Sequence, residues 1–127
     1  MQNRPPTALE LTQLCESWQK VLGLDAWRVK VKLCRARDFN VEGRQGEIIF
    51  DRKRLEADIK IIDPQDYPPG ELFPQDIEQT LVHELLHLVW AVTQVDAGTE
   101  EYVQWEAAIH LTARAMMTLR REIRDDG

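Results

Sequence analysis

Two imidazoles and a carboxylate fall within five residues of this chain, in the stretch His83-Glu84-Leu85-Leu86-His87. On a helix, positions 83 and 87 stand one turn apart on the same face. Imidazoles placed in this way can share one metal ion. Glu84, beside the first of them, can then reach a water on that ion and act as its base. The H-E-x-x-H spacing follows from helical geometry and from the preference of zinc for tetrahedral nitrogen and oxygen donors. Leu81, Val82, Leu85, Leu86, Leu88 and Val89 make the remaining faces apolar. Polar rings buried in such a helix need partners, and a metal supplies one. The competing reading is a pair of hydrogen-bonded core histidines.

A catalytic zinc site takes three protein ligands and keeps a fourth position for water. The extension H-E-x-x-H-x-x-G-x-x-H is excluded here, because Trp90 and Thr93 occupy the relevant positions. That leaves an acidic residue on a following helix that packs back against the motif. Glu100, Glu101 and Glu106 compete. Eleven residues separate His87 from the turn at Gly98, so a helical return needs a comparable number beyond it. Glu100 and Glu101 come early and suit the first turn, where the helix dipole favours acids. Glu106 suits the return and is the favoured third ligand, with Glu100 as runner-up. His110 follows Glu106 by one turn. It is read first as a residue that hydrogen-bonds a ligand or donates to a substrate oxyanion, with a place as ligand instead of Glu106 kept open. Tyr102 and Tyr67 are the other candidate donors.

The elements that must position these residues are legible in the hydrophobic pattern. Thr7 and Glu10 form a T-x-x-E capping box, Leu11, Leu14, Cys15, Trp18, Val21 and Leu22 recur at helical spacing, and Gly23 is a stop. A first helix is expected at about residues 7–22, after a disordered 1–6. Trp27, Val29, Val31 and Leu33 alternate with charged residues and predict a half-buried strand. Residues 47–51 and 57–62 read as two more strands, joined closely enough to be antiparallel neighbours. A Pro-rich, ordered or semi-ordered loop spans 63–75. Asp76 caps a motif helix expected to reach about Gln94, with Gln79 completing the signature. Asp96–Gly98 is a turn, and Thr99 caps a last helix expected to reach about Arg121. The tail from Arg120 reads as a solvated helix end. The fold class is α+β in the order α-β-β-β-α-α, with a small mixed or mostly antiparallel sheet, in one domain over residues 1–127.

The chain has 127 residues, 43% of them hydrophobic, enough for one modest core, and a formal net charge of −6. That balance argues against nucleic acid or an anionic membrane as partner, since both reward basic patches. No apolar run is long enough to span a bilayer, and Met1–Pro6 has no apolar segment of a signal peptide. A cytoplasmic protein is expected. Cys15 and Cys34, each in an apolar pattern, read as buried free thiols.

The segments Val82–Leu88 and Trp105–Met116 together resemble the small gluzincin-type zinc metallopeptidase domains of phage and prophage genomes. The likeness covers roughly residues 24–120. It implies a minimal zincin-like fold, Zn²⁺ on His83, His87 and Glu106, and a polar residue at the position of His110 that orients a ligand. It implies a zinc-activated water with Glu84 as general base, acting on a peptide or on one protein partner. It also implies that the strand before the motif helix, here Ala57–Ile62, borders the substrate cleft. The alternative is a non-catalytic zinc-containing interaction module derived from such a fold.

Overall fold

A computed structural model of the chain describes residues 4–91 and 96–126. The elements are α1 (Ala8–Leu22), β1 (Arg28–Cys34), β2 (Gly46–Asp51), β3 (Glu56–Ile62), α2 (Ile77–Val89) and α3 (Glu100–Asp126), with single 3₁₀ turns at Ala36–Asp38 and Pro64–Asp66. This is an α+β fold with an N-terminal helix, a mixed three-stranded sheet and two closing helices.

Local chemistry sets the ends of α1. Thr7 accepts from the Glu10 amide, and the Glu10 side chain accepts from the Thr7 amide. Gly23 then closes the helix in the left-handed region at φ 73°, a conformation that costs glycine nothing. Disorder expected for residues 1–6 falls partly on 1–3, outside the described residues. Arg4 forms a two-pronged ion pair with Glu10.

Strand order in the sheet is β1-β3-β2, with β1 parallel and β2 antiparallel to β3. Val31, Ile59 and Ile48 fall in register across the three strands, as do Val29, Ala57 and Phe50. These apolar residues therefore share one face, which α1 and α2 cover, while α3 packs against α2. The core joins Leu11, Cys15 and Trp18 of α1, Ile59 and Ile61 of β3, Leu81, Val82 and Leu85 of α2, and Ile109, Ala113 and Met117 of α3. Cys15 and Cys34 are both buried and free, as the pattern predicts.

The register corrects one expectation. β3 is the central strand, paired on both sides, so Ala57–Ile62 has no edge to offer a substrate. The parallel partner β1 occupies the side that a chain-order meander would leave open. The edge strands are β1 and β2, and it is β2 that lines the cavity described below. Ile62 N–H donates to the Gln45 carbonyl at 2.8 Å, which makes 45 and 62 a hydrogen-bonded pair. Alternation along the antiparallel ladder then turns the N–H and C=O groups of Gly46, Ile48 and Phe50 away from β3.

Two helix ends also differ from expectation. α2 stops at Val89, with Trp90 as its cap, short of Gln94; residues 92–95 lie outside the described residues. α3 runs past Arg121 to Asp126, and its end is not simply solvated. Arg121 forms a bidentate pair with Asp76, and Arg124 one with Glu78. Arg120 reaches Ser17 and lies over the Trp18 ring. The distal half of α3 is thereby clamped to the start of α2 and to α1. Among the described residues no helix is long and apolar enough to cross a membrane.

Candidate metal centre

α2 begins where Asp76 accepts from the Gln79 amide, so the motif starts in the helix's second turn, above a fixed cap. His83 and His87 come out on one face with ring centroids 5.3 Å apart. The turn ends at Gly98, in the left-handed region, and the Thr99 hydroxyl accepts from the Tyr102 amide to open α3. α3 then packs antiparallel along α2 and brings Glu106 to the two imidazoles. Glu106 Oε2 is 3.2 Å from His83 Nε2, and Oε1 is 2.9 Å from His87 Nε2. Glu100 and Glu101 remain exposed in the first turn of α3.

The donor set fits a zinc ion. One ligand atom from each of His83, His87 and Glu106 lies within 4.8 Å of the others. Donors arranged tetrahedrally around zinc at its usual bond lengths stand about 3.3 Å apart. The two imidazole–Glu106 contacts, made through different carboxylate oxygens, lie within a few tenths of an ångström of that spacing. Without a cation, the two imidazoles hold the Glu106 carboxyl well below the usual carboxylate range through their hydrogen bonds. A cation among the three would take over that role. The side chains are 18%, 12% and 32% exposed for His83, His87 and Glu106, open enough for a small ligand to reach the group.

Glu84 is buried at 7% exposure. Burial pushes its carboxyl up to about 7, with Glu106 and Glu47 adding to the rise and His83 and Arg44 opposing it. A carboxyl poised near neutrality can both accept and return a proton. It sits where β2 meets α2, and the contact is very close. A Cβ on Gly46 would lie 2.6 Å from Thr80 Cγ2 and 2.8 Å from Glu84 Oε2.

These groups share a cavity of about 880 Å³. Its floor is His83, Glu84, His87 and Glu106; its walls include Gly46, Ile48 and Phe50 of the free sheet edge. His110 also lines it, exposed, with its ring 6.1 Å from that of His83. Burial, His83 and Arg114 hold His110 below its ordinary value. Among the described residues no hydrogen bond joins it to Glu106 or to either imidazole, so it faces the cavity rather than bracing a ligand. Tyr102 and Tyr67 line the cavity as well, but the Tyr67 hydroxyl is engaged with the Phe73 carbonyl at 3.0 Å. Trp105 packs edge-on against His87 at 5.0 Å, and Trp90 is 47% exposed on the outer side.

Arg44, Gly46 and Arg114 are among the lining residues that the sequence did not single out. A glycine at the head of a strand was the available signal for Gly46, since it marks a close approach of backbone. No pattern marks either arginine. Comparison with protein-family models, with curated proteins and with solved structures finds no match to this chain.

Proposed function

We propose that this chain is a zinc-dependent metallopeptidase of gluzincin type, with His83, His87 and Glu106 holding the ion and Glu84 as general base. One observation carries the reading. A buried carboxyl poised near neutral pH and a three-donor metal group open into the same cavity, beside a free strand edge. A purely structural zinc site has no use for Glu84 or for the open cavity.

The ion, when bound, supplies a Lewis acid that polarises a carbonyl and acidifies water. The chain's own residues supply the rest. An extended peptide adds to the β2 edge through the outward N–H and C=O groups of Gly46, Ile48 and Phe50, which fixes its backbone across the cavity. Glu84 takes a proton from the attacking water as the water oxygen bonds to the scissile carbonyl carbon. It passes that proton to the amine nitrogen as the C–N bond breaks. His110 donates to the carbonyl oxygen as negative charge grows there. Tyr102 is the second candidate for that task.

Glu84→Gln tests the proposal. At matched zinc content, wild type cleaves members of a mixed peptide library and the variant loses that cleavage by at least a hundredfold. Zinc retained in both proteins with no cleavage in either overturns the peptidase reading in favour of a non-catalytic zinc module.

A further inference from the structure

The cavity has two unlike ends. α3 runs antiparallel to α2, since Glu106 meets His83 and His87 while Arg121 meets Asp76. Arg114 lies between those contacts on α3, so it enters the cavity on the side of the α2 N-terminus. Arg44 enters from the same side, because Gly46, two residues on, sits against Thr80 and Glu84. At the opposite end, past His87, the lining residues are Ala91, Tyr102 and Trp105.

Among the described residues Arg44 makes one long ion pair and Arg114 makes none. The nearest acid to Arg44 is Glu47, at 3.9 Å. The Glu47 carboxylate already accepts from the Asn40 amide, the Asn40 side chain and the Val41 amide. Among the described residues no carboxylate lies within ion-pair distance of Arg114. Asp76, at the same end, is occupied by Arg121 and by the Gln79 amide. Of the other lining acids, Glu106 is held by the two imidazoles, Glu84 is buried within the electrostatic reach of Arg44, and Glu71 is left over. Two guanidiniums facing one cavity, which together make one long ion pair among the described residues, stand out in a chain of formal net charge −6. A guanidinium matches a carboxylate in charge and in its planar pair of donors.

We propose that Arg44 and Arg114 form a carboxylate subsite. The peptide then carries a carboxylate toward the N-terminal end of α2 and an uncharged side chain toward Tyr102 and Trp105. The carboxylate is an acidic side chain or a free C-terminus. That the ligand is a peptide rests on the function proposed above; that it carries a carboxylate rests on the two arginines.

The test uses zinc-loaded Glu84→Gln protein, so that binding is read without hydrolysis. Four fluorescent hexapeptides combine an internal Glu or Gln with a free or amidated C-terminus, and anisotropy gives their affinities. At least one carboxylate-bearing peptide binds tenfold or more tighter than the peptide lacking both, and the pair of termini tells which source is read. The preference shrinks in added salt and disappears in Arg44→Gln/Arg114→Gln protein of unchanged zinc content and circular dichroism. Should the double variant misfold, loss of the preference in either single variant decides the matter equally. Equal affinity for all four peptides, a preference that survives removal of both arginines, or no binding overturns the inference. Cleavage by wild type judges the other question separately. Cleavage without acid preference sinks the subsite and leaves the peptidase, whereas acid-selective binding without cleavage does the reverse.

Discussion

Gly46 presses its Cα against the carboxylate of Glu84, leaving so little room that a methyl group there would stand 2.8 Å from Oε2. The free edge strand and the motif helix thus meet at the proposed base. Glu84 owes its burial, and through that its raised affinity for a proton, to the missing side chain at position 46.

Gly46→Ala is therefore expected to destabilise the protein by about 1–3 kcal/mol through overpacking. Gly46 has no positive φ, so backbone strain contributes nothing. Adding Thr80→Ser removes the Cγ2 atom that lies at 2.6 Å and should restore part of the loss. Urea denaturation of the single and double variants checks both statements.

Glu84 makes the metal-free protein pH-sensitive in a definite direction. Its folded value is raised to about 7 from the ordinary 4.5. Between those values the native state holds a proton that the unfolded chain has lost, so stability falls as pH rises through that window. Glu84→Gln removes the penalty. In chelator at pH 8 the variant is expected to be more stable than wild type by up to about 3 kcal/mol, with the difference vanishing near pH 4. Denaturation curves across that range measure it.

The clamp at the end of α3 holds the helix that carries Glu106. Arg121→Ala/Arg124→Ala breaks two half-exposed bidentate pairs. The expected cost is about 1–2 kcal/mol, or roughly 4–8 °C in melting temperature. The difference should narrow in 0.5 M salt, which scanning calorimetry can follow.

His110 faces the cavity without bonding a ligand, so its removal should spare the metal. His110→Ala is expected to retain zinc while kcat for peptide cleavage falls about a hundredfold and KM changes little. A comparable loss in Tyr102→Phe with an unaffected His110→Ala would move the donor's role to Tyr102.

Much of this arrangement could be read from the chain because it is local. The Thr7–Glu10 box, the Asp76 cap, the turn at Gly98 and the 3.6- and 2-residue periods each depend on neighbours within a few positions. The pairing of His83, His87 and Glu106 followed from counting residues along two helices joined by a short turn. What escaped depends on long-range register. Nothing in Arg28–Cys34 announces a parallel partner, so β3 looked like an edge when it is the centre. Arg121 and Arg124 look like any solvated helix end until Asp76 and Glu78 are brought beside them. Arg44 and Arg114 lie 70 residues apart, and only the packing of β2 and α3 on α2 places both at one end of the cavity.

The central claim is that His83, His87 and Glu106 hold one zinc ion, and metal analysis of protein purified without chelator tests it most directly. Wild type should carry about one zinc per chain, while His83→Ala and Glu106→Ala, still folded, should carry almost none. A folded wild type without zinc, or full zinc occupancy in Glu106→Ala, would contradict it.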